Sequence, residues 1–218
     1  MKRSLAGTLT LAALMSLGAS CAMNKAEKGA IIGAGAGGAV GAVIGNATGS
    51  TVRGAIIGAA VGGVAGAVIG HQMDKQAQEL AYELPGATVQ RVGEGIAVTF
   101  PEGLLFGFDS DQLRPAAQDD LRKFAASLQK YPNTRTLIVG HTDSQGSAEY
   151  NMELSNRRAL SAANFVTAEG VDRARISTAG RGEGEPIATN ETEAGRQQNR
   201  RVEIAIYANT ANDSGSGN

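Results

Sequence analysis

The sequence predicts an α+β domain in its C-terminal half, in which helices pack on a mixed β-sheet in βαβαβ order. Two observations lead to this fold class. Patterns typical of strands alternate with patterns typical of helices between residues 87 and 208, and most of the 30 glycines lie before residue 71. The uneven composition favours separate segments. We expect, in order, a signal peptide (1–20), a lipidated N-terminus (21–28), a glycine-zipper helical hairpin (29–70), a linker (71–86), the α+β domain (87–208) and a disordered tail (209–218).

Residues 1–20 have the form of a secretory signal peptide, because Lys2 and Arg3 precede an apolar stretch and small residues follow it. The single cysteine, Cys21, stands where bacterial lipoproteins are lipidated. Cleavage before Cys21 would leave an N-terminus that carries diacylglycerol and an acyl chain such as palmitate. The resemblance to bacterial lipoproteins implies that Ala22 after the cysteine favours export to the outer membrane. Gly18 departs from the usual cleavage pattern, so cleavage after Ala22, which would release a soluble periplasmic protein, is the alternative.

Residues 29–45 and 54–70 repeat each other with a period of 25 residues and agree at 13 of 17 positions. We call them the first and second glycine repeats, because glycine occupies every fourth position in both. In water each glycine opposes a helix by about 1 kcal/mol relative to alanine, whereas in a bilayer a glycine stripe lets two helices pack closely. With the polar stretch 46–53 as a turn, the repeats predict a helical hairpin in the membrane. A flexible Gly/Ala tract in solution is the alternative.

Composition and motifs argue against several other classes of protein. Gly33, Gly35 and Gly38 match the GxGxxG fingerprint of dinucleotide-binding folds, but the second glycine repeat has Ala60 in place of the middle glycine. We therefore expect no cofactor. The single cysteine excludes an internal disulfide and a Cys-rich metal site. A net charge of −1 gives no support for a nucleic-acid partner.

The elements of the C-terminal half follow from periodicity and from the positions of proline and glycine. Pro115 opens an amphipathic helix that ends before Pro132, and Gly170 ends the next helix. The run 136–139 has no polar face, which predicts a strand buried on both sides. The other predicted elements are a hairpin with strands at 89–92 and 96–99, a strand near 176–179, a short helix near Glu193–Asn199 and a closing strand at 202–207.

The helix that Gly170 ends is predicted to carry a polar face. Asn151, Ser155 and Arg158 lie at i, i+4 and i+7, next to the loop 140–146, which contains Asp143. An aspartate beside an arginine suits a ligand with both an ammonium and a carboxylate group, such as the zwitterionic end of an amino acid. The alternative is that Asp143 caps the helix or pairs with Arg158 and binds no ligand.

Several motifs of this region stand in a characteristic order: GHTDSQGSAEYNMELSNRRA from residue 140, GRGE from residue 180 and GRQQNRRVEI from residue 195. With these motifs, residues 96–208 resemble the C-terminal peptidoglycan-binding domain of the OmpA family and the peptidoglycan-associated lipoproteins. The resemblance implies an OmpA-like fold. It also implies that Asp143 and Arg158 hold the two ends of meso-diaminopimelate in the peptidoglycan stem peptide. The supporting contacts that it implies come from Thr142, Asn151, Asp109 and Arg200.

Together these features predict a non-catalytic tether in the cell envelope. A lipid at Cys21 and the hairpin would hold one end in the outer membrane, and the periplasmic C-terminal domain would bind the cell wall. A wall hydrolase or metal-dependent amidase would use His141 with Asp143 and Asp109, but a catalytic zinc usually takes three protein ligands. We therefore expect neither catalytic residues nor a metal site. A third hypothesis is that the hairpin forms homo-oligomers, as a pore or stress-response element that the wall-binding domain positions.

Overall fold

The computed structural model describes residues 49–62, 67–107 and 109–209. The predicted signal peptide, the lipidated N-terminus with Cys21, the first glycine repeat and the tail from 210 onwards lie outside the described residues. Within the described part, the elements in chain order are α1 (Thr51–Gly62), α2 (Ala67–Glu83), β1 (Thr88–Val92), β2 (Gly95–Pro101), α3 (Glu102–Leu105), α4 (Pro115–Lys130), β3 (Thr134–His141), α5 (Ala148–Ala168), a 3₁₀ turn (Arg173–Arg175), β4 (Ile176–Gly180), α6 (Glu193–Asn199) and β5 (Arg201–Ala208).

The five strands of the described residues form one mixed sheet in the order β1-β2-β5-β3-β4. Strands β3 and β4 are parallel, and the other neighbouring strands pair antiparallel. Helix α5 connects β3 to β4, because parallel neighbours need a crossover of this kind. The predicted α+β fold with helices on a mixed sheet is confirmed. The predicted hairpin, strands and helices of the C-terminal half appear at their expected places. Most of their first and last residues differ from the prediction by a few positions.

The larger hydrophobic core lies between one face of the sheet and the helices α2, α4 and α5. Alternate residues of the strands point into it, as the two-residue period of a strand requires. The helices contribute apolar stripes at spacings of three and four residues. Members of this core include Ile96, Val98 and Phe100 of β2, Ile204 and Ile206 of β5, Leu121, Phe124 and Leu128 of α4, and Ala159, Ala162 and Val166 of α5.

Helix α2 is part of this core, although its sequence from His71 onwards is mostly polar. Gln76 Nε2 donates to Ser127 Oγ of α4 at 3.2 Å, and Glu79 accepts from Lys130 and Tyr131 at 2.8 and 2.9 Å. Most of the segment predicted as a linker (71–86) therefore packs into the domain. The polar composition obscured a narrow apolar stripe at helical spacing, which consists of Met73, Ala77, Leu80 and Leu84.

Helix α1 covers the opposite face of the sheet. Its Val52, Ala55 and Ile56 form a second, smaller core with Val139 and Ala205. This contact explains why β3 is buried on both faces, as predicted. The second glycine repeat is thus helical over 54–62 and 67–70, whereas its pairing with the first repeat in a membrane stays a prediction. Within the described ranges, no helix combines the length and apolarity needed to cross a bilayer.

Gly140 allows helix α5 to approach strand β3 closely. A Cβ atom built on Gly140 would lie 2.1 Å from the carbonyl oxygen of Ser155 and 2.9 Å from its carbonyl carbon. Backbone atoms of a packed helix cannot move aside as the end of a flexible side chain can. The close approach matters for the site described below, because the loop after β3 and helix α5 carry its two central residues.

We expect Gly140→Ala to lower the free energy of unfolding by about 3 kcal/mol, because the added methyl group must push α5 away from the sheet. Chemical denaturation followed by circular dichroism measures this change. Gly103→Ala is the matched control, because a Cβ there meets nothing within 4 Å, and it is expected to leave stability nearly unchanged. Equal midpoints for the two variants would contradict the proposed packing constraint.

Candidate functional site

A small cavity of about 70 Å³ lies where β3 ends and α5 begins. Helix α3 and the residue before β5 close its other sides. All six residues that the family resemblance implies line this cavity, namely Asp109, Thr142, Asp143, Asn151, Arg158 and Arg200. Four further lining residues were not predicted: Glu102, Gln145, Tyr150 and Leu154.

Asp143 occupies the loop after β3, and its side chain is 7% exposed. Its Oδ2 accepts a hydrogen bond from Arg200 Nη1 at 2.5 Å. Its Oδ1 accepts from the backbone N–H of Gln145 at 3.0 Å. Asp143 therefore pairs with Arg200 in this structure, and neither with Arg158 nor with the first amides of α5, which Ser147 caps.

Arg158 is almost completely buried, with 2% of its side chain exposed. Its Nη2 forms an ion pair with Glu102 Oε1, and its Nε donates to the backbone carbonyl of Ser110 at 3.0 Å. The guanidinium carbon lies 5.6 Å from the centre of the Phe106 ring, close enough for a cation–π interaction. Burial lowers the pKa of Arg158, although the charge and hydrogen bond of Glu102 oppose that change. The positive charge predicted at Arg158 is therefore fixed by three contacts, with Glu102, Ser110 and Phe106.

Glu102 links the two arginines. Its Oε2 lies 3.0 Å from Arg200 Nε, while its Oε1 contacts Arg158. Burial raises the pKa of Glu102, and the nearby charge of Asp143 adds to this increase, while both arginines act against it. The result is a row of four alternating charges, which we call the charge row: Asp143, Arg200, Glu102 and Arg158.

Polar groups around the charge row position the loop and the helix. Asn151 Nδ2 donates to the backbone carbonyl of Asp143 at 3.2 Å and to Glu183 Oε2 at 2.8 Å. The Thr142 N–H donates to the carbonyl of Gly182 at 2.8 Å. Ser155, predicted to face the same pocket, instead accepts from the Gly182 N–H at 2.9 Å and does not line the cavity. The reason is that β4 leads the chain 180–183 back over this part of α5.

Asp109 and Tyr150 lie at the outer side of the cavity. The Tyr150 hydroxyl donates to Asp109 Oδ1, and this hydrogen bond raises the pKa of Tyr150. Asp109 has a φ of 53°, in the left-handed region that few residues other than glycine adopt. Such a conformation persists only where the surrounding structure holds it, and here it turns Asp109 towards α5.

Some of the missed residues left a signal in the sequence. Tyr150, Leu154 and Arg158 follow one another at four-residue spacing, so they share one face of α5. Counting back from Arg158 would therefore have found both missed residues. Glu102 has no such signal, because it is a single carboxylate after a strand and its partners lie more than 50 positions away.

The arrangement can bind a small group that carries both charges. The lining residues include three carboxylates (Glu102, Asp109, Asp143) and two guanidinium groups (Arg158, Arg200), for a formal charge of −1. Among the described residues, Arg158 uses Nε and Nη2 in its contacts, which leaves Nη1 as a donor for a carboxylate. The oxygens of Asp143 keep lone pairs for an ammonium group.

His141 lies next to Thr142 but does not line this cavity. Its side chain is 1% exposed, and Nε2 is 3.8 Å from Glu203 Oε2. Burial lowers the pKa of His141 well below its ordinary value, and the positive charges of Arg201 and Arg181 lower it further. The ring is therefore neutral at physiological pH and faces away from the charge row.

Comparison with family models gives two matches. The model described as the OmpA family matches residues 105–200, which contain all six predicted site residues and every member of the charge row except Glu102. The model described as a YMGG-like Gly-zipper matches residues 1–74. The two matches do not overlap. Helix α2 begins within the Gly-zipper match and ends in the interval between the two matched ranges.

The chain is similar to two bacterial lipoproteins. It is 42% identical over 138 residues to "Probable lipoprotein YiaD" of Escherichia coli, covering 62% of this chain and 63% of that protein. The chain thus spans just under two thirds of that relative. It is 38% identical over 115 residues to the "Outer-membrane lipoprotein YfiB" of Pseudomonas aeruginosa, covering 53% of this chain and 68% of that protein.

A solved structure shares the fold. The cell wall anchor of the T6SS from Pseudomonas aeruginosa matches with a TM-score of 0.55 and 32% sequence identity, over 61% of this chain and 96% of that chain. The match covers almost the whole of the other molecule. The similarity therefore concerns a complete folded unit rather than a shared fragment.

We expect His141 to make stability fall as the pH decreases below about 6.5, because the unfolded chain then takes up a proton that the folded chain excludes. The loss is at most about 1.4 kcal/mol per pH unit. The free energy of unfolding in urea should differ less between about pH 7 and about pH 5.5 in His141→Asn than in the parent.

Glu102, whose raised pKa acts in the opposite direction, contributes equally to both proteins. His71→Asn, at an exposed position, is the control, and an unchanged pH dependence in His141→Asn would contradict the assignment.

Proposed function

Since this chain belongs to the OmpA family, we propose that its C-terminal domain binds peptidoglycan and ties the outer membrane to the cell wall. The proposed ligand is the free amino-acid end of meso-diaminopimelate in the stem peptide. Binding involves no bond cleavage, so the protein acts as a non-catalytic tether. The similarity to a cell wall anchor supports this function.

The observation that carries the proposal is the charge row. Asp143 and Arg158 stand at its two ends, with opposite charges, and both are fixed by partners other than each other. In the proposal, Asp143 accepts from the ligand ammonium and Arg158 Nη1 donates to the ligand carboxylate. A zwitterion adds no net charge, so it enters without leaving a buried charge unpaired.

The other predicted residues support these two contacts. Arg200 neutralises Asp143 and places its carboxylate. Asn151 and Thr142 position the loop backbone, and Asp109 with Tyr150 forms the outer wall of the pocket. One amino-acid end bound through charge-assisted hydrogen bonds gives modest affinity, and many copies along a membrane add avidity.

The membrane end of the tether rests on Cys21 and the glycine repeats, which lie wholly or partly outside the described residues. Two relatives are named lipoproteins, one of them an outer-membrane lipoprotein. We propose that lipidated Cys21 anchors this chain in the outer membrane and leaves the wall-binding domain in the periplasm.

We expect Asp143→Asn to weaken binding of meso-diaminopimelate by about tenfold to a hundredfold, because a hydrogen bond to a charged group contributes about 1.5–3 kcal/mol. Isothermal titration with the free amino acid and co-sedimentation with purified sacculi both measure this loss. Arg158→Ala is expected to abolish binding, but it also leaves the buried Glu102 without its partner, so its folding must be checked.

Asp119→Asn is the matched control for Asp143→Asn, because Asp119 is an exposed aspartate on α4, away from the cavity. It should bind as the parent does. If Asp143→Asn keeps its fold and still sediments with sacculi like Asp119→Asn, the pocket assignment is wrong.

We expect Cys21→Ser to move the protein from the outer-membrane fraction to the soluble periplasmic fraction, because the lipid anchor is lost. Membrane fractionation followed by immunoblotting measures the shift. An unchanged distribution would mean that the glycine repeats hold the protein in the membrane without the lipid.

A further inference from the structure

The second face of the sheet is covered by the start of the second glycine repeat and the residues just before it. Val52, Ala55 and Ile56 of α1 are 2%, 5% and 1% exposed. They pack on Val139 and Ala205, which are fully buried. Apolar side chains of the same face, at Val92, Ala97, Leu137 and Tyr207, surround this contact. Helix α1 thus covers a continuous apolar surface of the sheet.

A polar clasp fixes the first residue of α1 to the loop after β4. The Thr51 N–H donates to Glu185 Oε2 at 3.0 Å, and the Thr51 hydroxyl donates to Glu185 Oε1 at 2.5 Å. Arg181 Nε donates to the Thr51 hydroxyl at 2.6 Å and lies 3.2 Å from Glu185 Oε1. A carboxylate at a helix N-terminus satisfies an amide that has no partner within the helix and interacts favourably with the helix dipole.

The first glycine repeat and the residues before it lack two of the residues that make this contact, although Ala30 and Ile31 correspond to Ala55 and Ile56. With the repeat period of 25 residues, Ala26 corresponds to Thr51 and Glu27 corresponds to Val52. Docking of the first repeat would lose the clasp hydroxyl and bury a carboxylate against Val139 and Ala205, which is costly without a partner. The sheet is therefore matched to the second repeat.

The buried side of α1 includes part of the glycine stripe as well as the residues that pack on the sheet. Gly54 and Gly58 of that stripe are both buried, next to the buried Ala55 and Ile56. A glycine stripe is also the surface through which two membrane helices approach each other. One helix cannot present the same face to the sheet and to another helix at the same time.

We propose that this face of the sheet is a docking site for the second glycine repeat, and that the repeat exchanges between the sheet and the membrane. In the docked state, the sheet shields the apolar side chains of the repeat from water, and the Glu185 clasp holds the end of α1. In the inserted state, the clasp is open and the same face is available to the first repeat. The proposal does not depend on what the charge row binds.

The test measures whether residue 57 of the full chain lies in water or in lipid. Ile57 is 39% exposed on α1, so Ile57→Cys carries an environment-sensitive fluorophore without disturbing the packed face. Cys21→Ser in every protein leaves the probe as the single thiol. In the presence of vesicles of phosphatidylethanolamine and phosphatidylglycerol, the fluorophore on the protein with an intact clasp should mostly report an aqueous environment. Glu185→Ala should increase the membrane-inserted fraction about tenfold relative to the docked fraction, because helix caps and hydrogen bonds to charged groups shift such equilibria by about a decade.

Glu191→Ala is the matched control, because Glu191 is an exposed carboxylate further along the same loop. It should behave like the parent. Thr51→Val opens the clasp from the other side and should shift the probe in the same direction as Glu185→Ala, which keeps the test valid if one variant is unstable. The proposal is overturned if the probe reports lipid equally in the parent and in both clasp variants, or if neither variant differs from Glu191→Ala.

Discussion

The charge row Asp143–Arg200–Glu102–Arg158 is the interaction on which the candidate site depends. Burying one ion without compensation costs several kcal/mol, so each of these groups is tolerated only because its neighbours carry the opposite charge. The four residues come from the loop after β3, the turn into β5, helix α3 and helix α5. The row therefore joins four parts of the chain at one end of the sheet. The pocket needs those four parts assembled before it has a defined charge pattern.

The sheet supports this assembly through what lies on its two faces. On one face, α4 and α5 pack closely, and Gly140 lets the backbone of α5 approach β3. On the other face, α1 packs and is clasped by the loop after β4. That same loop bonds to Thr142 through Gly182 and to Asn151 through Glu183. The pocket and the docked glycine repeat are thus supported by one short segment, residues 181–185.

Much of the fold was predictable, because it follows from local rules. Pro115 opens α4, and Gly170, with a φ of 97°, ends α5. The run 136–139 was expected to be buried on both faces, and both faces of β3 are covered. The linker prediction for 71–86 differs from the packed helix α2, because four apolar residues among many polar ones are enough to make a buried stripe. The six site residues were predicted from motifs and do line one cavity, whereas the pairing of Asp143 with Arg200 and the presence of Glu102 between the arginines were not predicted.

By itself, the sequence determined most of the strands and helices of the C-terminal half, their order along the chain, and six of the ten residues that line the pocket. The strands and helices follow from periodicity and from turn chemistry within a few neighbouring residues, whereas the set of six pocket residues follows from the resemblance to the OmpA family. Only the tertiary structure decided that Arg200 pairs with Asp143 across 57 positions, that Glu102 joins the two arginines, and that Thr51 meets Glu185 across 134 positions. Such pairs depend on strand order and on the angles at which helices cross the sheet, and no local pattern encodes either.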